Sequence, residues 1–272
     1  MKRLTHDPRF WFFGALLLCV LMVAVFAPAI APHDYDTMNA ACRLAGPSSE
    51  FPLGTDVFGR DVLSRLVFGA RMTLRISLSA VVIGVTIGTA LGLNAGYVGG
   101  LTELVIMRVV DFILAFPTIL VAIVVVTYVG TSVDALIATI GILSVPRFTR
   151  VVHSATLAAK QNQYVEAARA LGAPHWRILL RAILPNVMAP IMVQISLGLG
   201  DVMLVESTLS FLGLGPPPPT PSWGRSISEG TPYMHLNAYG VIWPSVILSL
   251  SVLAFNILGD SLRDALDPRL RT

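Results

Sequence analysis

The sequence predicts an all-α integral membrane protein of six spanning helices, with both termini on the cytoplasmic side. Three observations carry this prediction. Charged residues make up only 13% of the chain against 54% hydrophobic residues, where a soluble domain carries about 25% charge. Mean hydropathy is +0.73. Long windows free of Asp, Glu, Lys and Arg recur along the chain. So little charge cannot wet the surface of a 29.2 kDa globule, which sets aside soluble enzymes, disordered chains and fibrous proteins. The pI near 9.1 accompanies a net charge of only +3. No basic stripe with interleaved aromatics is present, so nucleic acid is not an expected partner.

A bilayer core of about 30 Å needs roughly 20 apolar helical residues. The first window is Phe10–Ala31. Lys2 and Arg3 before it and Ala29-Ile30-Ala31 at its end resemble a signal peptide. Its 22 residues exceed the roughly 7–15 of a signal h-region, and more spans follow, so it reads as a retained helix. The second window is Ile76–Thr102 and the third Phe112–Val133. The fourth, Ala135–Pro146, extends to about Val152. The fifth, Ala182–Gly200, continues to about Leu212 past Asp201 and Glu206, and Gly230–Gly259 is the sixth. Pro117 in the third span and Pro190 in the fifth are tolerated because neighbouring helices re-satisfy the freed backbone groups.

With the N-terminus inside, the inner segments hold thirteen of the nineteen basic residues, Arg108, Arg147 and Arg150 among them, and the outer segments six. That asymmetry sets the orientation. Five of the six outer arginines crowd one loop, where Asp34, Asp36, Glu50, Asp56 and Asp61 balance them.

The chain divides into 1–50 (tail, first helix and start of the outer loop), 51–75 (an external segment before the core), 76–265 (a five-helix core) and 266–272 (a tail). No connection reaches the roughly 50 residues of a small domain, so a soluble catalytic module is expected on another polypeptide. There is no G-x-x-x-x-G-K-[ST] nucleotide cradle. Cys19 and Cys42 make no framework, the five histidines are scattered, and neither a metal site nor a catalytic residue is assigned.

The inner connection at 153–187 sets Lys160, Arg169, Arg177 and Arg181 against one acid, Glu166. Tyr164–Leu171 are good helix formers, and Gly172 can end that helix in the left-handed conformation. Pro174 suits the first turn of a second helix, in which Trp176, Leu179, Leu180 and Ile183 recur at amphipathic spacing. A helix–turn–helix along the cytoplasmic face is expected. Periodicity alone leaves open whether it covers the bundle or docks a partner, and whether Trp176 anchors to a protein or to the membrane interface.

Glu166-Ala167-Ala168, Gly172 and Ile183-Leu184-Pro185 at this spacing resemble the signature of ABC-importer permease subunits. Phe51–Leu74, with LGTD-x-x-GRD-x-x-SR, and Ser210–Gly224 resemble the peptide/nickel branch, as does Asn256–Leu270. The chain is similar to the second permease subunit of dipeptide and oligopeptide importers. The resemblance implies a type I ABC importer permease fold in the bacterial cytoplasmic membrane. It implies a second homologous permease, one or two ABC ATPases that bind ATP and Mg²⁺, and an external binding protein. It implies no cofactor in this chain. Glu166, Ala167, Ala168, Arg169, Gly172, Trp176, Ile183 and Pro185 are the implied contact with the ATPases.

Peptides are the expected cargo, with nickel or a metal chelate the alternative within the branch. Asp111, Asp201 and Glu206 lie at membrane depth, where polar groups are candidates for the pathway or for pairing between helices. Arg108 one turn before Asp111 offers an i,i+3 pair. Two rivals are weaker. A secondary transporter needs repeated halves with broken helices, and no repeat is seen. An intramembrane aspartyl protease would use Asp111 with the Asp201 of Gly198-Leu199-Gly200-Asp201, but no Pro-Ala-Leu follows on a later span.

Overall fold

The computed structural model describes residues 8–266. Lys2, Arg3 and positions 267–272, which hold nearly all of the expected C-terminal tail, lie outside them. The described residues are helical with no strand, apart from one isolated bridge between Thr55 and Asp61. Helices α1 (Pro8–Val25) and α2 (Ala27–Ile30) are followed by an irregular outer segment that reaches Asp61. Then come α3 (Val62–Val98), α4 (Gly100–Leu114), α5 (Thr118–Val129) and α6 (Val133–Lys160). The chain continues through α7 (Gln163–Ala170), α8 (His175–Arg177), a π-helical stretch Ile178–Ile183, α9 (Leu184–Phe211), α10 (Trp223–Gly230) and α11 (Tyr239–Leu266). Among the described residues, five helices are long and apolar enough to cross a bilayer, or six spans when α4 and α5 count as one bent span.

The core is a seam between α3 and α6. Gly84, Gly88, Gly92 and Gly96 recur every fourth residue and so share one helix face. A side chain on Gly92 would come 2.7 Å from the Thr149 carbonyl oxygen, and one on Gly96 would come 2.7 Å from the Thr156 Cβ. Such close approach is how membrane helices gain packing energy without a hydrophobic driving force. Positions 84 to 96 of α3 meet 144 to 156 of α6 in rising order, so the two helices run parallel, outside to inside. Gly198 of α9 faces the same Phe148 ring that fills the seam. Val20 and Ala24 of α1 pack with Ala70, Leu74, Trp223, Leu248 and Val252.

Four features differ from the sequence expectation. The segment 51–75 is not all external loop. Asp61 accepts hydrogen bonds from the backbone N–H groups of Leu63 and Ser64 and so starts α3 well before the charge-free window. The third span is not a straight helix: Pro117 sits between α4 and α5, which meet at 88°. Pro has no N–H to continue the ladder, and it restricts the residue before it.

The inner connection is also shorter than 153–187. α6 runs on to Lys160, and His175–Phe211 forms one helical span. The second helix of the expected pair is therefore the start of the fifth span. Pro185, which lacks an N–H and crowds the carbonyl one turn earlier, accounts for the widened turn before it. Finally, Arg147 and Arg150 belong to α6 rather than to an inner loop.

Candidate functional site

At the cytoplasmic end, α7 packs on the bundle through Val165, with Ala168 beside it. Val165 is fully buried, against Ile178, Ile183 and Val187. Glu166, Ala167 and Arg169 are exposed, and Ala168 is half-buried. Gly172 closes the helix at φ 70°, with nothing within 4 Å of where a side chain would start. Its backbone N–H donates to the Arg169 carbonyl at 2.9 Å, and the Ala173 N–H to the Ala168 carbonyl at 3.1 Å, which ends the helix in the left-handed manner. Leu171 is 88% and Trp176 56% exposed. Two large apolar groups project from a polar helix end beside small alanines, an exposed apolar patch of the kind that interaction sites present. Ile183 is buried and Pro185 exposed; they shape the helix that carries α7 rather than forming part of its outer face.

Tyr97 ties this end together. It is 4% exposed, at the last turn of α3. Its hydroxyl lies 3.1 Å from His175 Nδ1, and the Arg169 guanidinium sits 5.0 Å from its ring centre, within cation–π range. The Lys160 ammonium at the end of α6 is 5.9 Å away. One aromatic side chain thus meets α6, α7 and α8. Sequence reading missed it because its partners are 63 to 78 residues further along the chain.

Two ion pairs and a histidine–carboxylate contact run along α6. Arg147 pairs with Asp201 of α9, Arg150 with Asp111 of α4 at 2.6 Å, and His153 Nε2 lies 2.9 Å from Glu103 of α4. Asp111 therefore takes Arg150 rather than the neighbouring Arg108. Arg147 stands fourteen residues from one end of α6 and thirteen from the other, about 20 Å from each at 1.5 Å per residue. Charge at such depth costs about 2.5–3.5 kcal/mol per group even on the mildest scale. Glu206 differs: it is 1% exposed, and its carboxyl group accepts from the Ser210 hydroxyl at 2.7 Å and the Ser207 hydroxyl at 3.2 Å. Those bonds satisfy a buried acid inside the bundle.

At the outer end, the LGTD-x-x-GRD-x-x-SR run folds into a charge cluster. Asp56 accepts from the Phe58 and Arg60 N–H groups and from Arg60 Nε at 2.6 Å. Arg60 and Arg65, each with a nearly buried side chain, both reach Glu229 of α10. Arg225 joins at 2.8 Å. Burial alone would raise the Glu229 carboxyl, but Arg65 and Arg60 outweigh it and hold the group below the usual carboxylate range. Nearby, Trp223 donates its indole N–H to the Leu66 carbonyl at 3.0 Å. The helix α10 was not foreseen, because Pro216–Pro219 masks the periodicity just before it. Among the described residues, no group of three His, Cys, Asp or Glu could hold a metal ion.

Residues 84–272 match the family model described as "Binding-protein-dependent transport system inner membrane component". Residues 1–47 match the "N-terminal TM domain of oligopeptide transport permease C". The dipeptide transport system permease protein DppC of Alkalihalophilus pseudofirmus is 40% identical over 257 residues, which are 94% of this chain and 84% of that one. The glutathione transport system permease protein GsiD of Pectobacterium atrosepticum is 42% identical over 265 residues, 95% and 86% of the two chains. Among solved structures, an inward-facing conformation of the MetNI methionine ABC transporter superposes with a TM-score of 0.63 at 19% identity, over 75% of this chain and 97% of that one. An amino acid ABC transporter superposes with a TM-score of 0.58 at 18% identity, covering 75% and 95%. The fold is that of ABC importer permeases, and the chain belongs to the family of inner-membrane components of binding-protein-dependent transport systems.

Proposed function

We propose that this chain is one of two permease subunits through which peptides cross the cytoplasmic membrane, driven by ATP bound and hydrolysed on separate subunits. The observation that carries the cargo is its identity of 40% to a dipeptide permease and of 42% to a glutathione permease, each across nearly all of this chain. Both named cargoes are short peptides with charged ends. On this reading the chain holds no ATPase site of its own, and ATP and Mg²⁺ belong to partner ATPases.

The exposed face of α7, with Glu166, Ala167, Arg169 and the neighbouring Leu171 and Trp176, is the docking surface for those ATPases. Gly172 sets the angle at which α7 meets the bundle. Tyr97 passes movement of α7 to the ends of α3 and α6, the two helices locked together by the glycine seam. The outer cluster around Glu229 holds the external face in a fixed shape for the binding protein.

The test is reconstitution of the chain in proteoliposomes with its partner permease, ATPases and binding protein. ATP-dependent accumulation of radiolabelled dialanine is expected. Uptake that persists without ATP and collapses with the proton gradient would overturn the reading in favour of a secondary transporter.

A further inference from the structure

We propose that Arg147, Arg150 and His153 of α6, with Asp201, Asp111 and Glu103, form a charge-balanced, water-exposed lining of the pathway that receives the charged ends of a zwitterionic peptide. The proposal rests on the peptide-permease reading above and adds to it the side chains that meet the cargo.

Three observations carry it. The first is depth. Arg147 lies at the middle of α6, and its neighbour Phe148 packs on Gly84 and Gly88, close to the centre of the charge-free stretch Ile76–Thr102 of the parallel helix α3. The second is direction. Phe148, Thr149, Val152 and Thr156 are buried towards α3. His153, its side chain 12% exposed, sits on the flank between the two faces, while at 100° per residue 147 and 150 fall on the opposite side of the helix. There the side chains of Arg147 and Asp201 are 46% and 51% exposed, and those of Arg150 and Asp111 are 53% and 54% exposed.

Half-exposed ion pairs at this depth cannot face hydrocarbon. A partner that covered them would strip water from charges already neutralised within this chain, which disfavours a dry interface. Water is the remaining neighbour. The third observation is space. A cavity of about 430 to 740 Å³, depending on how much of its open mouth is included, is lined by Glu103, Met107, Arg108, Asp111 and His153, so it opens directly beside the ladder.

The chemistry suits one class of cargo. The ladder and Arg108 supply three guanidinium groups and three carboxylates. Arg108 makes no ion pair among the described residues, and its planar fork is free to take a peptide carboxylate in bidentate fashion. Asp111 and Asp201 can accept the terminal ammonium while their arginines turn to the other end. Each charge of a zwitterion thus finds a partner without leaving another stranded, and the passage stays neutral with and without cargo.

Thiol labelling in the assembled complex tests this. With Cys19→Ala and Cys42→Ser as background, Met107→Cys places a thiol in the cavity without breaking an ion pair, and Val82→Cys places one on the exposed apolar face of α3. The thiolate, which forms only where water reaches, attacks the sulfenyl sulfur of a charged methanethiosulfonate reagent, forming a mixed disulfide and releasing methanesulfinate. Labelling is expected at position 107 and not at 82. If position 107 stays unlabelled both with and without ATP, the face is covered by protein or lipid and the lining is overturned.

At a concentration about ten times its Kd, dialanine should slow that labelling about tenfold by occupying the site, whereas dialanine acetylated and amidated at its ends should not. Equal slowing by both, or by neither, overturns the zwitterion assignment. Labelling needs no turnover. Failure of dialanine uptake by the unsubstituted complex therefore counts against the functional reading, while labelling still reports on the lining.

Discussion

At the scale of single residues, charge is tolerated where water is scarce only when it is paired. Glu229 faces Arg60, Arg65 and Arg225 in the outer cluster. Its carboxyl is held below the ordinary 4.5 in the folded protein. A depressed acid adds stability that is fully present above the unfolded value and is lost as pH falls through the folded one. Replacement by Gln leaves two nearly buried guanidiniums short of a counter-ion. The cost should be about 2–3 kcal/mol, below the roughly 3–5 of a fully stranded buried charge, because Asp56 still faces both arginines. Thermal melts of detergent-solubilised protein and Glu229→Gln should therefore differ by a constant amount above about pH 5 and converge below 4.5. A difference that grows on acidification would contradict this assignment.

The same scale shows what was legible in the sequence. Asp111 and Asp201 were visible as acids at membrane depth, but their partners were not. Asp201 is paired with a residue 54 positions away and Asp111 with one 39 positions away. No local pattern encodes such pairs, which exist only once α4, α6 and α9 are packed.

At the scale of elements, helices were legible wherever burial in lipid demanded uninterrupted apolar runs. Their breaks were less so. Pro117, Pro146, Pro185, Pro190 and Pro244 all lie in or beside apolar stretches, yet Pro146, Pro190 and Pro244 sit inside continuous helices while Pro117 accompanies an 88° turn. The difference lies in the neighbours that re-satisfy freed carbonyls, which is a tertiary property. The four-residue glycine period of α3 was legible in principle, since spacing alone places those residues on one face, and it marks the α3–α6 seam.

Gly172 is the element-scale test. Its left-handed backbone disfavours a β-branched side chain by about 1–2 kcal/mol, yet no atom stands within 4 Å to clash. Gly172→Val should therefore insert and assemble but set α7 at the wrong angle, and transport should fall while ATP hydrolysis continues. Gly172→Asn, which tolerates that conformation, should retain most of the transport. Near-normal coupling in Gly172→Val, measured as cargo moved per ATP hydrolysed, would remove α7 from the coupling path.

At the scale of the whole molecule, the opening composition acquires a reason. A chain with 13% charge uses its few charges in three places: an outer cluster, a ladder along α6 and the cytoplasmic helix α7. Between them lie helices held by glycine contacts and apolar packing, and on the proposed reading the bundle is a conduit whose two ends meet other proteins. Substitution of exposed Ala167 by Trp tests this claim most directly, because the residue faces away from the bundle and its own fold has nothing to lose. In proteoliposomes that hold the full complex, Ala167→Trp should insert and melt as the unsubstituted chain does. ATP-dependent dialanine uptake should fall at least about tenfold, the effect of roughly 1.4 kcal/mol lost at the docking surface. Uptake and coupling equal to those of the unsubstituted complex would contradict the assignment of α7 as the place where this chain meets its energy source.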